Sequence, residues 1–218
     1  CLLSVDSVFI NFPKAFNLTL QGRMGPSVVD FPMDIQRTEI NKIFDISAEP
    51  YIDKPLLQLD LNNLKEIIHA GEKAKRPVIL LGQGALSCGE FEIYKSIAEK
   101  LNALVVTSFL GIGSYETSST RCMGYIGHTG NQVANHAVNE CDFLLVLGAR
   151  LDVRQTGTVV EQFAKNADIA RVDIDINELE NPRVSVKWKI NLDISQFCNN
   201  FVDTLNINDN YDTKWQKK

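Results

Sequence analysis

No stretch of this 218-residue chain approaches the about 20 consecutive apolar residues that a membrane-spanning helix needs, and none shows the basic-then-apolar pattern of a secretory leader. A helical membrane role is excluded on that ground, and the cytoplasm is the expected compartment. Paired cysteines are missing as well. The five present, Cys1, Cys88, Cys122, Cys141 and Cys198, form no CxxC and are odd in number, which argues against a disulfide scaffold and for idle or buried thiols. Positive charge is short: 22 Lys and Arg against 27 Asp and Glu leave a net charge of −5 and a pI of 5.3. Neither nucleic acid nor an anionic membrane is expected as a partner of a chain so balanced. Any phosphate bound must be met by local arginines and helix N-termini. The sequence has no internal repeat.

What is present is a regular alternation of helix and strand from residue 60 onward, with 44% hydrophobic residues to fill a core. Asp60 is placed to cap a helix carrying Leu61, Leu64, Ile68 and Ala74, with Pro77 just beyond its end. Val78 to Leu81 reads as a short buried strand, and Ser87-Cys88-Gly89-Glu90 as a capping box for a helix burying Phe91, Ile97, Ala98 and Leu101. Strands are expected at 104–107, 143–147, 169–174 and, on an edge, 186–190; helices at 131–140, 158–165 and from Asp193 through Phe197, Phe201 and Leu205. Strands separated by helices imply right-handed crossovers and an α/β, doubly wound, mostly parallel sheet of six strands with helices on both faces. Residues 6–36 read differently, as a helix with Val8, Phe12 and Phe16 interrupted by Pro13, a turn from Gly22 to Pro26, and a strand from Ser27 to Phe31. Residues 37–59, with Pro50 and Pro55, read as a linker.

The chemistry concentrates at strand ends. Phe143 to Leu147 is apolar without alternation, which suits a strand buried on both faces, and it delivers Gly148-Ala149-Arg150-Leu151-Asp152-Val153-Arg154-Gln155-Thr156-Gly157 into the crevice where such folds bind ligands. Gly148 permits a close backbone approach, and Arg150 and Arg154 can grip phosphate or carboxylate oxygens in bidentate fashion. An ordinary turn with two solvated arginines fits the same residues. Gly82-Gln83-Gly84 begins like a dinucleotide fingerprint, but Ser87 stands where the third glycine belongs, so the standard Rossmann pattern fails. The amides of Gly84 and Ala85 beside a helix N-terminus remain candidates for a phosphate or ribose, beside the reading of a tight turn without ligand. Gly124, Gly127 and Gly130 fit a loop pressed against a flat ligand, and His128 within it receives no acid–base role. Asp173 and Asp175 end a strand where a carboxylate can accept hydrogen bonds from a nucleotide. A metal there is the weaker reading, because no His or Cys stands at ligand spacing.

Several segments carry a resemblance to a known family. GARLDVRQTG resembles the segment after a central-domain strand in the large subunits of acetolactate synthase, within the thiamine diphosphate-dependent enzymes. GRMGPSVVDFPMDIQ, Gly22 to Gln36, is similar to the close of the family's pyrimidine-binding domain. RPVILLGQGA, Arg76 to Ala85, and VDIDINELE, Val172 to Glu180, resemble its first central-domain strand and a later strand with an acidic turn. The likeness runs from about Phe12 to about Leu205 and keeps the family's order. It implies a tail of the pyrimidine domain at 1–36, the linker at 37–59, the central domain at 60–205 and a lead toward the diphosphate-binding domain at 206–218.

The resemblance also implies cofactors and partners. Thiamine diphosphate and Mg²⁺ belong to the intact enzyme, which decarboxylates a 2-keto acid and joins the product to an acceptor, while FAD or ADP is expected at the central domain. The residues implied around that nucleotide are Arg23, Gly82, Gln83, Gly84, Ala85, Gly127, His128, Gly148, Ala149, Arg150, Asp152, Arg154, Asp173, Ile174 and Asp193. Two departures stand out. FAD-binding relatives have methionine and histidine between the last two glycines of the loop where this chain has His128-Thr129, and they have glycine where Leu192 is expected to crowd the pocket. The chain opens on Cys1, and neither the family's activating glutamate nor its Gly-Asp-Gly motif is found, so it reads as incomplete. No catalytic or metal-binding residue is assigned. Alone it is expected to be inactive, to self-associate through Phe9, Phe12, Phe16 and Phe31 or fold that tail back, and to purify without flavin. The partners implied are the missing domains of its own chain and a second copy in a homo-oligomer. The alternatives are a decarboxylase or C–C hydrolase with an empty or ADP-filled central site, a stand-alone nucleotide-binding module, and a structural domain with an empty crevice.

Overall fold

A computed structural model describes residues 4–20, 22–40 and 59–215, which divide into two compact units, 1–56 and 57–218. In the first, Ser4 opens helix α1 (Val5–Leu18) through a capping box with Ser7, and the helix runs on through Pro13. A short helix α2 (Met33–Gln36) follows. The strand expected at 27–31 does not form. A ladder needs a neighbour to take up its amides, and no described strand pairs with this segment, in which Val28 is 95% exposed. The linker expected at 37–59 falls mostly on 41–58, outside the described residues.

The second unit begins at α3 (Leu61–Lys73), capped by Asp60 as the sequence predicts. Then come β1 (Pro77–Leu81), α4 (Gln83–Cys88), α5 (Phe91–Leu101), β2 (Leu104–Thr107), β3 (Cys122–Tyr125), α6 (Gln132–Glu140), β4 (Phe143–Leu147), α7 (Val153–Thr156), β5 (Asp168–Asp173), α8 (Ile176–Glu180), β6 (Trp188–Asn191) and α9 (Ile194–Thr204). The six strands stand in the order β3-β2-β1-β4-β5-β6, every neighbouring pair parallel. The expected doubly wound α/β sheet is therefore present, with its topological switch between β1 and β4. No helix among the described residues is long and apolar enough to cross a membrane.

The unbroken apolar runs of β1 and β4 follow from helices on both faces. Ile79, Leu81, Phe143, Leu145 and Leu147 pack with Ile67, Ile97, Leu101, Phe197 and Phe201 from α3, α5 and α9. Their alternates Val78, Leu80, Leu144 and Val146 pack on the other face with Ala134, Ala137 and Val138 of α6, together with Phe163. Desolvation in these clusters pushes the Cys141 thiol up to about 12 and also raises the Cys198 thiol, so the buried thiols stay protonated and inert.

Two local expectations of this unit are corrected. Ser87 to Glu90 is not a capping box: α4 already occupies Ser87 and Cys88, Gly89 ends it in the left-handed region, and α5 starts at Phe91 with no side-chain cap and Phe91 itself 45% exposed. The helix expected at 158–165 is replaced by the shorter α7, set earlier by Asp152, whose carboxylate accepts from the Arg154 and Gln155 amides, and by a single 3₁₀ turn, Val160–Gln162. Strand β3 was not anticipated.

Residues 206–215, within the second unit, lie against the ends of α3 and α5. Asn208 is fully buried, and its amide nitrogen donates to the carbonyls of Gly71 (3.2 Å), Ala74 (2.8 Å) and Leu101 (3.2 Å) at the ends of α3 and α5. Gly71 also accepts from the Ala74 amide, but the Ala74 and Leu101 carbonyls are of the kind that a helix end leaves unpaired. Asn208→Ala strands them in the interior and should destabilise the unit by about 1–3 kcal/mol, read as a shift in the urea midpoint at constant slope; an unchanged midpoint would show that water replaces the amide without cost.

Candidate functional site

The turn after β4 is built by two left-handed residues, Gly148 (φ +61°) and Leu151 (φ +55°). Such a conformation is costly for a leucine, and burial offsets it: Leu151 is 1% exposed in the core. Seating Leu151 inward turns its neighbour outward. The Arg150 side chain is 62% exposed and its Nε pairs with Glu178 Oε1 at 2.9 Å. Arg154 is exposed on α7, and exposed His128 sits on the neighbouring loop with its amide donating to the Arg154 carbonyl at 3.0 Å. The structure thus places Arg150, Arg154 and the Gly127-His128 loop at one end of the sheet.

Beneath them lies a residue the sequence reading passed over. Arg171, in the middle of β5, is 1% exposed. Its Nε donates to the Ala149 carbonyl (3.1 Å) and its Nη1 to the Glu178 carbonyl (2.6 Å). Its Nη2 lies 3.7 Å from Asp173 Oδ2 and 3.6 Å from Glu178 Oε2. Burial pulls the guanidinium pKa below its ordinary value, and the carboxylates of Asp173 and Glu178 oppose that. Glu178 therefore joins Arg150 to Arg171, and Arg171 fixes the backbone from which Arg150 projects.

The glycines at these turns allow the chain to pack closely on itself. A side chain on Gly82 would run into the Gly148 carbonyl, and one on Gly148 would lie 2.7 Å from the Gly84 Cα, 2.7 Å from Ile194 Cδ1 and 2.9 Å from the Ala85 nitrogen. The two turns at the switch point are packed backbone to backbone. The Gly84 amide, expected to hold a ligand, donates to the Gly148 carbonyl at 3.0 Å, and Ala85 is wholly buried; Gln83 is exposed. The glycine series 124, 127, 130 also packs on protein: a Cβ on Gly124 would meet the Asn131 amide, on Gly127 the Arg154 carbonyl, and on Gly130 the Tyr125 carbonyl. Asn135 locks Gly127 with a pair of 2.9 Å bonds to its amide and carbonyl.

The remaining predicted residues divide. Asp173, buried at the end of β5, accepts from the Asp175 amide at 3.0 Å, and the Asn191 side chain holds the carbonyls of Asp173 and Ile174 at 3.1 and 2.9 Å. Asp152 and Asp193 are helix caps, of α7 and α9. Leu192 does not crowd the crevice: it is fully buried and packs in the core with Ile194 and Phe197. Arg23 lies in the first unit, after α1. Two depressions lie elsewhere on the second unit. The larger, about 460 Å³, is lined by residues including Glu66, His69, Asp142, Asp168 and Trp188, around the N-terminal ends of β4 and β5 and thus at the opposite end of the sheet. Strand ends at a switch point, with exposed cations, are the better candidate on chemical grounds.

Comparison with known proteins places this geometry. The family described as thiamine pyrophosphate enzyme, central domain, matches residues 64–201. The acetolactate synthase large subunit of Porphyra purpurea is 35% identical over 176 residues, covering 78% of this chain and 29% of its own length. Acetolactate synthase 1, chloroplastic, of Zea mays is 33% identical over 190 residues, covering 85% and 29%. A solved structure from Mycobacterium smegmatis, assigned as a thiamin diphosphate-dependent enzyme, superposes with a TM-score of 0.72 at 19% identity, over 95% of this chain and 39% of that one. That last likeness bears on the fold alone. The chain spans under a third of the length of the curated relatives it matches.

Proposed function

The chain belongs to the thiamine pyrophosphate enzymes, as their central domain, and on that premise we propose that it is the central part of an acetolactate synthase-like protein whose arginine turn holds the diphosphate of a nucleotide, FAD or ADP. The observation that carries the reading is the turn after β4: Arg150 projects 62% exposed from a backbone fixed by a buried arginine, with Arg154 exposed on the short helix α7 that follows. A diphosphate is the anion that two such forks fit. The glycine turn contributes packing rather than a cradle, so side chains, not loop amides, carry the affinity.

The intact protein, in this reading, decarboxylates a 2-keto acid and joins the product to an acceptor, in the cytoplasm and as a homo-oligomer. Thiamine diphosphate, when bound, supplies stabilisation of negative charge at the reacting carbon. Among the described residues no three His, Cys, Asp or Glu are grouped to hold a metal ion, and the role proposed for the residues around the arginine turn is separate from that cofactor's chemistry. Their part is to bind and orient the nucleotide. The segment 1–36 as pyrimidine-domain tail and 206–218 as a lead toward the diphosphate domain belong to the same reading. Phe109, Leu110 and Ile112, 64%, 63% and 46% exposed after β2, support apolar packing against further parts of such a protein.

Arg150→Ala should weaken ADP binding by about 1–3 kcal/mol, the worth of a hydrogen bond to a charged group. Arg150→Lys should recover only part, because an ammonium lacks the planar fork. Titration calorimetry on the 218-residue chain is the measurement, and equal affinities for wild type and Arg150→Ala would return this side chain to the solvated-turn reading.

A further inference from the structure

The loop from Gly148 to Gly157 carries both arginines, and its internal bonds are confined to one turn, in which the Asp152 carboxylate and carbonyl accept from the Arg154, Gln155 and Thr156 amides and the Thr156 hydroxyl. Its only helix, α7, has four residues, and an isolated turn of that length is unstable in water. The loop must be tied from outside. Its start is tied three times: the Gly148 amide donates to the Val172 carbonyl at 3.0 Å, the Gly148 carbonyl accepts from the Gly84 amide at 3.0 Å, and Arg171 Nε holds the Ala149 carbonyl at 3.1 Å. Its middle is tied by the His128 amide on the Arg154 carbonyl, at 3.0 Å.

Its end is tied by Arg183, from the segment between α8 and β6. Arg183 Nε donates to Thr156 Oγ1 at 3.3 Å, and Nη2 to the Gly157 carbonyl at 3.0 Å. A guanidinium can only donate. The Thr156 hydroxyl, itself 7% exposed as a residue, therefore keeps its proton for the Asp152 carbonyl at 2.9 Å, which is the cap of α7. One side chain thus fixes Thr156, Gly157 and, through the hydroxyl, Asp152, on either side of Arg154. Lysine brings its donors on one nitrogen and lacks the planar fork that meets the two acceptors from two separate nitrogens.

We propose that Arg183 is a positioning residue for the anion-binding arginines: with Arg171 at the opposite end, it clips the loop so that Arg150 and Arg154 are presented before a ligand arrives. The inference rests on the reading of that loop as a diphosphate site. Arg183 is exposed, so its replacement leaves the core intact.

The test uses the 218-residue chain, with ADP as the probe and hydrogen exchange of the Gln155, Thr156 and Gly157 amides as a second readout. Arg183→Gln should loosen ADP about three- to ten-fold, the size expected when loop side chains must be ordered on binding instead of beforehand. Those amides should exchange faster while the melting temperature stays near wild type, and Arg183→Lys should fall between. Unchanged ADP affinity in Arg183→Gln, while Arg150→Ala still weakens it, overturns the proposal and leaves the site standing. Weakened ADP with unchanged amide exchange overturns it too, because Arg183 then touches the anion itself. If Arg150→Ala and Arg183→Gln both leave ADP affinity alone, the diphosphate reading and the proposal fall together.

Discussion

Arg171→Met should destabilise the second unit by about 3–5 kcal/mol, the cost of removing one member of a buried charged cluster. The methionine matches much of the volume, so cavity formation is a small part of the effect. What is lost is pairing. The carbonyls of Ala149 and Glu178 lose their donors at 3.1 and 2.6 Å, and the carboxylates of Asp173 and Glu178, only 12% and 16% exposed, lose the cation beside them. Both tryptophans, Trp188 and Trp215, are buried in this unit at 6% and 3%, so their fluorescence in urea follows its unfolding. A loss below about 1 kcal/mol would mean that water enters the cluster and solvates it, contrary to the burial on which the account of Arg150 depends.

Gly148→Ala should cost about 2–5 kcal/mol, from two additive sources. At φ +61° any side chain meets the left-handed penalty of about 1–2 kcal/mol. The new Cβ would also stand 2.7 Å from the Gly84 Cα and 2.9 Å from the Ala85 nitrogen, and overpacking of this sort adds about 1–3 kcal/mol. These neighbours are backbone, so relief requires the β1 and β4 turns to separate. A glycine retained for ligand approach would, in the absence of ligand, pay the left-handed penalty alone. A cost of only about 1–2 kcal/mol for Gly148→Ala, measured by the same fluorescence, would restore that interpretation.

The central strands were legible because burial on both faces leaves a signature that no helix of this length imitates: five apolar residues between turn formers, as in 143–147. Asp60, Asn131 and Asp193 were legible as helix starts because a short acceptor before an apolar-periodic run has one local use. Strand β3 was not, since Cys-Met-Gly-Tyr is half-buried at the sheet edge and contains a glycine whose purpose is contact with Asn131. The capping box at Ser87 failed because the turn after β1 enters a helix at once, using the residues the box needed.

The exposed placement of Arg150 and Arg154 after β4 could be read because an unbroken apolar run ending in glycine marks where the buried strand stops. Arg171 went unread although it had a signal. A lone charge inside the buried run Ile169 to Val172 demands partners, and Asp173 and Glu178 stood close in sequence to supply them. Arg183 had none, because its acceptors, Thr156 Oγ1 and the Gly157 carbonyl, lie 26 to 27 residues away and only the fold brings them near. The glycines had a signal that pointed two ways: close approach was correct, and what approaches is the protein's own backbone.

The most direct test of the account is a two-dimensional amide NMR titration of the 218-residue chain with ADP. Binding at the arginine turn predicts saturable shifts centred on Ala149 to Gly157, with neighbours at Gly127, His128 and Asp173 to Asn177. Shifts centred instead on His69, Asp142 and Lys187 around the opposite depression, or none at millimolar ADP, would contradict it.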